Sequence, residues 1–259
     1  KKMMVPVAHI EGGIRSGDMT MPEEINRIVT DSITDYFFTT SETANENLRK
    51  IGIGEDRIFF VGNTMIDTLN HSRLRFRKPS LWDELKLAEK EYLVLTLHRS
   101  NNVDDPANLQ RLLDEIIKSS AGLPVIFPIH PRTRKVLGSS VTSLAGRNIH
   151  LTEPLGYLEF NYIVERAKAV ITDSGGITEE TTVMSVPCMT LRDSTERPET
   201  VTIGTNELLG ANPDAIAPSM QKLLSGNWKK GSIPPLWDGH TAERVIEIIC
   251  NLKPKSLTD

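Results

Sequence analysis

The chain has 259 residues, of which 39% are hydrophobic and 25% charged, with a formal net charge of −4. This composition is typical of a soluble globular protein, and the acidic balance without any Lys/Arg block argues against a nucleic-acid-binding protein. No apolar run approaches the roughly 20 residues of a membrane span, and the two cysteines and six histidines lack the spacing of a disulfide framework or metal site.

The first third of the chain alternates between apolar runs and helical patterns. Strands are predicted at 5–10, 36–40 and 57–61. Pro22, Glu23 and Glu24 predict the start of a helix, because Pro suits the first turn and acids suit its positive end. The apolar residues of that helix fall on one face: Ile25, Ile28, Val29 and Ile33. Thr43 and Glu46 have capping-box spacing at the start of the next helix.

A polar segment at 75–83 is typical of a linker, and a second series of elements follows it. Strands are predicted at 92–96, 124–129, 149–151, 169–172 and 187–191, and helices at 108–120, 156–167, 176–184, 213–224 and 241–252. Strands alternating with helices indicate parallel sheets. We therefore expect an α/β protein with two Rossmann-like doubly wound domains, 1–78 and 79–259, separated by a cleft, with helix 241–252 packing back on the first.

The chemically interesting residues follow the predicted strands, where ligands of parallel sheets bind. Glu11 follows the first strand, beside Gly12 and Gly13. His98 and His130 follow the first two strands of the second series. Their common placement favours function for the set as a whole.

The segment Ile171 to Glu180 is the most informative one. An apolar run stops at Asp173-Ser174-Gly175-Gly176 and a helical pattern follows, which is how a helix N-terminus is presented to a phosphate. Ser174 is a candidate N-cap, and Glu180 could reach sugar hydroxyls. The alternative is an ordinary tight turn, and for this motif alone the two interpretations are evenly balanced.

Each remaining candidate also has a structural alternative. Glu11 could transfer protons or be a solvated loop acid, and Glu23 and Glu24 could react or only compensate the helix charge. His98 beside Arg99 suits proton transfer or phosphate binding, with a structural histidine as its alternative. The same reasoning applies more weakly to His130.

Three further candidates lie in the second series. Arg197 could bind a diphosphate in a forked geometry, or belong to a surface ion-pair loop at 192–199. Phe160 and Tyr157 could stack on a base, although such aromatic residues usually pack in a core.

Taken together, these segments resemble the non-hydrolysing UDP-N-acetylglucosamine 2-epimerases, over nearly the whole chain. The matching segments are His9 to Asp18, Pro22 to Arg27, Gly62 to Asp67, Leu97 to Arg99, Asp173 to Glu180 and Arg192 to Glu199. The combination is specific, although each short motif alone is not.

The resemblance implies a glycosyltransferase-B-type fold and interconversion of UDP-GlcNAc and UDP-ManNAc, by anti elimination of UDP and re-addition through a 2-acetamidoglucal. It implies neither metal nor cofactor, and a homodimer; a cytoplasmic location is the default expectation, because the sequence shows no signal-peptide pattern. Its implied roles are proton transfer and leaving-group chemistry for Glu11, Glu23 and His98, and substrate binding for the rest. In the substrate-binding set, Ser174, Gly175 and Gly176 would contact the diphosphate and Glu180 the ribose. Arg197 would contact the diphosphate or the sugar, and Phe160 the uracil. Arg99 and His130 would make further contacts with the substrate.

Two departures from the family pattern leave alternatives open. The first domain is expected to be N-terminally incomplete, which would suit a truncated, inactive UDP-binding homologue. Gly12 replaces the family's more common Ala, and His98-Arg99 is followed by Ser-Asn-Asn, which would suit a different UDP-2-acetamido sugar. A glycosyltransferase of the same fold is a third alternative.

Overall fold

The computed structural model describes residues 1–138, 144 and 146–252. Its strands are β1 (Ala8–Ile10), β2 (Tyr36–Thr39), β3 (Ile58–Phe60), β4 (Leu93–Thr96), β5 (Val125–Pro128), β6 (Ile149–Thr152), β7 (Ala169–Thr172), β8 (Cys188–Thr190) and β9 (Asn206–Leu208). Its helices are α1 (Pro22–Ile33), α2 (Glu42–Lys50), α3 (Thr64–Arg73), α4 (Ser80–Glu84), α5 (Ser100–Val103), α6 (Pro106–Ser119), α7 (Pro131–Leu137), α8 (Tyr157–Arg166), α9 (Gly175–Val183), α10 (Pro198–Thr202), α11 (Ile216–Leu224) and α12 (Thr241–Asn251). Short 3₁₀ turns occur at Glu55–Arg57 and Pro213–Ala215.

The chain divides into two units. Unit 1 contains Lys1–His71, Glu196–Glu199 and the described residues from 234 to 252, and unit 2 contains Ser72–Thr195 and Thr200–Ile233. The predicted domain boundary after residue 78 stays a prediction. The last seven residues of the predicted second domain, 253–259, lie outside the described residues. The predicted linker at 75–83 contains the start of α4, whose Leu81 is buried.

Unit 1 is built on a parallel sheet of three strands in the order β1-β2-β3. Ile10 pairs with Phe38, and Thr39 pairs with Phe60, so the ends of the three strands lie along one edge. A small apolar cluster of Phe38, Val61 and Val245 joins this sheet to α12. The predicted positions of the three strands are therefore right, although each strand is shorter than predicted.

The last helix is fixed to unit 1 by polar contacts as well. Asp67 in α3 accepts hydrogen bonds from the backbone N–H groups of Thr241 (3.1 Å) and Ala242 (2.6 Å) in the first turn of α12. The buried Trp237 donates its indole N–H to the carbonyl of Thr40 at 3.0 Å. Asp67 therefore caps a helix that is distant in sequence, which satisfies N–H groups that the helix itself leaves unpaired.

Helix α1 leaves its apolar stripe exposed among the described residues. The side chains of this stripe are 38–57% exposed: Ile25, Ile28, Val29 and Ile33. Helix α2 begins at Glu42, and its cap is Ser41, whose hydroxyl accepts the N–H of Ala44 at 3.3 Å. The prediction of a capping box at Thr43 and Glu46 was wrong, because the helix begins one residue before Thr43.

Unit 2 is built on a parallel sheet of six strands in the order β6-β5-β4-β7-β8-β9. Numbered within the unit, this order is 3-2-1-4-5-6, the Rossmann order, in which ligands bind beyond the carboxyl ends near the central pair. That pair is β4 and β7, in a register that places Thr96 beside Thr172. His98 and Asp173 both lie just beyond this point of the sheet.

The interior of unit 2 is continuous and apolar. Leu109, Leu112, Leu113 and Ile116 form the buried stripe of α6 and pack on the sheet. All four residues of β7 are fully buried. A strand that is buried on both faces reads as an uninterrupted apolar run, and this is why the sequence pattern located β7 to the residue.

Candidate functional site

In unit 1, Glu11 follows β1 in a strained backbone conformation. Its φ is +67°, in the left-handed region that non-glycine residues rarely occupy. Its N–H donates to the carbonyl of Phe38 at 2.8 Å, as does that of Gly12 at 3.3 Å, and both anchor the turn to the sheet. Such strain costs about 1–3 kcal/mol and persists only where the surroundings fix it, which marks Glu11 as a candidate functional residue.

The carboxylate of Glu11 is paired with Arg197. Arg197 Nη2 lies 3.0 Å from Glu11 Oε2, and the Arg197 side chain is 7% exposed against 30% for Glu11. Glu196 and Glu199 are also buried, so Arg197 does not belong to a surface ion-pair loop, although Asp193 in the first half of the segment is exposed. A buried guanidinium orients the carboxylate while leaving part of it accessible.

Asp31, near the end of α1, organises the segment on both sides of Glu11. Its carboxylate accepts His9 Nδ1 (2.5 Å), the N–H of Gly13 (3.2 Å) and Arg15 Nη2 (2.6 Å). Burial by itself raises the pKa of Asp31, but the hydrogen bonds and charges of His9 and Arg15 outweigh it and hold the pKa below its ordinary value.

The two acids at the start of α1 have different environments. Glu24 is buried and accepts the N–H (2.9 Å) and hydroxyl (3.1 Å) of Ser16 and the N–H of Gly17 (3.1 Å). It therefore anchors the preceding loop. Glu23 is exposed, so it is the acid of the pair that a substrate can reach.

In unit 2, His98 and Asp173 form a hydrogen-bonded pair at the ends of β4 and β7. His98 Nδ1 lies 2.9 Å from Asp173 Oδ1, and the N–H groups of His98 (3.0 Å), Arg99 (2.9 Å) and the amide of Asn102 (3.2 Å) donate to Oδ2. Burial raises the pKa of Asp173, but these donors, above all His98, lower it below its ordinary value. An ionised Asp173 holds the Nδ1–H tautomer of His98 and leaves Nε2 for a ligand.

The predicted glycine turn does lead into a helix. Helix α9 begins at Gly175, and Ser174 stands at its N-cap position but makes no capping hydrogen bond with its side chain. The N–H of Ser174 donates to the Thr172 hydroxyl at 3.0 Å. Ser174, Gly175 and Gly176 are partly exposed, so a ligand could approach this helix N-terminus.

Glu180 lies one turn further along α9 and is 5% exposed. The Tyr157 hydroxyl donates to its Oε1 at 2.8 Å. Burial, with a smaller contribution from the charge of Glu179, raises the pKa of Glu180 although the hydrogen bond from Tyr157 opposes the shift. Tyr157 is therefore a partner of Glu180 in this structure.

A cavity of about 190 Å³ lies beside the His98 pair in unit 2. Its lining includes His98, His130, Phe160, Pro128 and Leu155. The rings of His98 and His130 have centroids 6.2 Å apart, and His130 Nδ1 accepts the N–H of Arg132 at the start of α7. The predicted residues His98, His130 and Phe160 thus share one small cavity that is large enough for a flat ring.

The sequence did not reveal Asp31, nor the contacts that Asp173 and Tyr157 make. Asp31 has no motif, because its partners lie about 20 residues away. Asp173 was recognised only as part of the turn, since its pairing with His98 depends on β4 and β7 being neighbours. Tyr157 was weighed as a stacking residue, whereas its hydroxyl contacts Glu180.

The described residues contain no group of three His, Cys, Asp or Glu side chains that could hold a metal ion. None of the helices in the described ranges is long and apolar enough to cross a membrane.

Comparison with known proteins gives one family. The model of a family described as UDP-N-acetylglucosamine 2-epimerase matches residues 1–250. A relative of that name from Methanocaldococcus jannaschii is 40% identical over 258 residues, which are 96% of this chain and 69% of the relative. A UDP-2,3-diacetamido-2,3-dideoxy-D-glucuronate 2-epimerase from Pseudomonas aeruginosa is 36% identical, over 97% of this chain and 70% of the relative.

The solved structures agree. A crystal structure of the M. jannaschii UDP-GlcNAc 2-epimerase in complex with UDP-GlcNAc and UDP has a TM-score of 0.82 and 40% identity, covering 96% of this chain and 70% of that one. The predicted fold class, two Rossmann-like domains of the glycosyltransferase-B type, is thereby confirmed.

Proposed function

The chain belongs to the UDP-N-acetylglucosamine 2-epimerase family, and on that premise we propose that it interconverts UDP-GlcNAc and UDP-ManNAc. UDP leaves by anti elimination to give a 2-acetamidoglucal, and it adds back after C2 has been protonated from the other face. The observation that carries this proposal is that the family match spans both the strained Glu11 of unit 1 and the Asp173–Glu180 turn of unit 2.

Unit 2 binds the UDP part of the substrate. The partly exposed N-terminus of α9, at Ser174, Gly175 and Gly176, supplies backbone N–H groups and a positive dipole end for the diphosphate. Glu180 accepts hydrogen bonds from the ribose hydroxyls, with Tyr157 orienting its carboxylate. Phe160 lines the 190 Å³ cavity that suits the flat uracil ring.

His98 acts on the leaving group. Asp173 fixes its ring, so Nε2 can hold or deliver a proton at a phosphate oxygen as negative charge develops there. Arg99 and His130 lie beside this imidazole and add positive charge or hydrogen bonds for the same anion. Stabilising the departing diphosphate is essential, because the C2 proton of a sugar is only weakly acidic.

Unit 1 moves the C2 proton. Inversion requires removal of the proton on one face and its return on the other, which two carboxylates can provide, and of the three candidate acids in unit 1 Glu11 and Glu23 are accessible. Glu24 is excluded from this role because its oxygens hold the Ser16–Gly17 loop. Arg197 is a diphosphate or sugar contact, and its ion pair with Glu11 orients that carboxylate.

The choice of sugar is the finer part of the proposal. The P. aeruginosa relative carries the name of a diacetamido-glucuronate epimerase at 36% identity, so a differently substituted UDP-2-acetamido sugar is the competing substrate. Supplying both UDP-sugars at equal concentration and comparing kcat/KM decides between them. The family assignment also supports a cytoplasmic homodimer, which sedimentation and cell fractionation test.

The roles of the two units are separated by comparing turnover with UDP binding. Glu11→Gln and His98→Asn are expected to lower formation of UDP-ManNAc by about 10²-fold or more, since each removes a proton-transfer group. Calorimetry should show that both variants still bind UDP. Glu180→Ala is expected to weaken UDP binding first, and an equal loss of UDP affinity in all three variants would contradict the assignment.

A further inference from the structure

Asp31 is a buried carboxylate that none of the proposed catalytic steps uses. It is 2% exposed and lies near the C-terminal end of α1, where a negative charge gains nothing from the helix dipole. Desolvating a charge in this way is costly unless the charge is well paired. The identity of its partners therefore indicates what this charge is for.

The three partners of Asp31 surround Glu11 in sequence. His9 precedes Glu11 by two residues, Gly13 follows it by two and Arg15 follows it by four, and each donates to one of the two oxygens of Asp31. Arg15 also donates to the carbonyl of Ile14 at 2.8 Å. One carboxylate thus fixes the chain on both sides of the strained residue.

We propose that Asp31 is a positioning residue, which holds the His9–Arg15 segment so that Glu11 keeps its left-handed backbone and presents its carboxylate for proton transfer. The inference rests on the proposed function, since it assigns Asp31 to the placement of a catalytic base. A displacement of about 1 Å at a reacting group can cost about 10²-fold in rate, so positioning alone has a measurable effect.

The chain supplies a matched control at the other end of the same strand. Asp35 accepts the N–H of Val7 at 2.9 Å and pairs with Lys1, so it also fixes β1 through a carboxylate. Burial raises the pKa of Asp35, but the hydrogen bonds from Lys1 and Val7 and the charges of Lys1 and Arg57 together lower it below its ordinary value. Within the described part of the chain, the hydrogen bonds of Asp35 go to Val7, Lys1 and Arg57 and not to the Glu11 turn, so only Asp31 should influence the reaction.

The first arm of the test is kinetic. Asp31→Asn keeps the size of the side chain but loses its charge, and kcat is expected to fall about 10–10²-fold while KM and UDP affinity change less than about twofold. Asp35→Asn is expected to leave kcat unchanged. Equal kcat for Asp31→Asn and wild type, or equal losses in both Asn variants, would overturn the proposal.

A milder pair of variants serves if Asp31→Asn does not fold. Asn at position 9 can place an amide N–H near the position of His9 Nδ1, whereas Leu cannot donate to Asp31. His9→Asn is therefore expected to retain several times the kcat of His9→Leu. Indistinguishable kcat values for the two would also contradict the proposal.

The second arm does not depend on activity. In the NMR spectrum of the full chain, Asp31→Asn is expected to change the backbone coupling constant of Glu11 and to speed amide exchange of Gly13, while Asp35→Asn leaves both unchanged. Wild-type protein without epimerase activity would refute the proposed function, but this arm would still decide whether Asp31 positions Glu11. Unaltered Glu11 and Gly13 signals in Asp31→Asn would refute the inference.

Discussion

Gly13 is the position where the Glu11 turn tolerates change least. Its φ is +77°, and a Cβ atom would lie 2.5 Å from the carbonyl oxygen of Ala44 and 2.7 Å from Leu48 Cγ. Both neighbours belong to α2 and are buried, so they cannot move aside cheaply. Gly17 in the same segment has nearly the same φ, +75°, but a Cβ there would meet nothing within 4 Å.

Alanine substitutions at the two glycines therefore separate the cost of backbone strain from the cost of steric overlap with α2. The left-handed conformation costs an L-residue about 1–2 kcal/mol, and Gly17→Ala should show this cost. Part of the cost is offset, because Ala has fewer unfolded conformations to lose on folding than Gly. Gly13→Ala adds an overpacking cost of about 1–3 kcal/mol. The free energy of unfolding of unit 1 is thus expected to fall by about 2–4 kcal/mol for Gly13→Ala and by about 1 kcal/mol for Gly17→Ala.

The assay needs a reporter that lies in unit 1 only. Of the three tryptophans, Trp237 is buried in unit 1, while Trp82 and Trp228 lie in unit 2. Urea unfolding followed by Trp237 fluorescence, with Phe at positions 82 and 228 in every variant, gives the required difference. Equal destabilisation by Gly13→Ala and Gly17→Ala would refute the account of overlap with α2.

Four further outcomes are expected. Asp173→Asn should lower turnover by about 10²-fold, because His98 loses the partner that fixes its ring. The pKa of Asp173 is lowered in the folded protein, so the stabilisation that its charge contributes is present above the ordinary pKa of about 3.9 and is lost as pH falls through the folded pKa. Acid unfolding followed by circular dichroism should therefore depend less on pH below about 4 in Asp173→Asn than in wild type. The folded pKa of Glu180 is raised, so wild type should lose stability as pH rises through that pKa, and Glu180→Gln should raise the melting temperature more at pH 8 than at pH 5. Asp67→Ala should destabilise unit 1 by about 1 kcal/mol, because α12 loses its cap, and hydrogen exchange should report this loss in unit 1. Asp105→Ala, which removes the N-cap of α6, should affect hydrogen exchange only in unit 2. Equal effects of both variants on unit 1 would contradict the role of Asp67 as the cap of α12.

The sequence located the strands and their carboxyl ends well, for a physical reason. Parallel strands are typically buried on both faces, as β4, β5 and β7 are over most of their length, so each of these is a short apolar run whose following residues lie at the ligand-binding edge. Strand β1 is less buried and is apolar except for His9. Glu11, His98 and the Ser174–Gly176 turn were found in this way. The short strand β9, Asn206–Leu208, was missed because its residues are polar at two of three positions.

The partners of these residues could not be predicted in the same way. The pairing of Asp173 with His98 depends on the order of strands in the sheet, which local pattern does not encode. The contacts of Asp31 and Arg197 with the Glu11 segment join residues 16 to 186 positions apart. Periodicity placed Ile25 and Val29 on one face of α1, but it could not tell whether that face is covered.

The central claim is that this chain exchanges the C2 proton of a UDP-2-acetamido sugar by releasing UDP. It is tested most directly by incubating the protein with UDP-GlcNAc in heavy water and following C2 by proton NMR. We expect one deuterium at C2 in both UDP-GlcNAc and newly formed UDP-ManNAc, and no uptake with Glu11→Gln. Folded wild-type protein that binds UDP but leaves the C2 proton in place would contradict it.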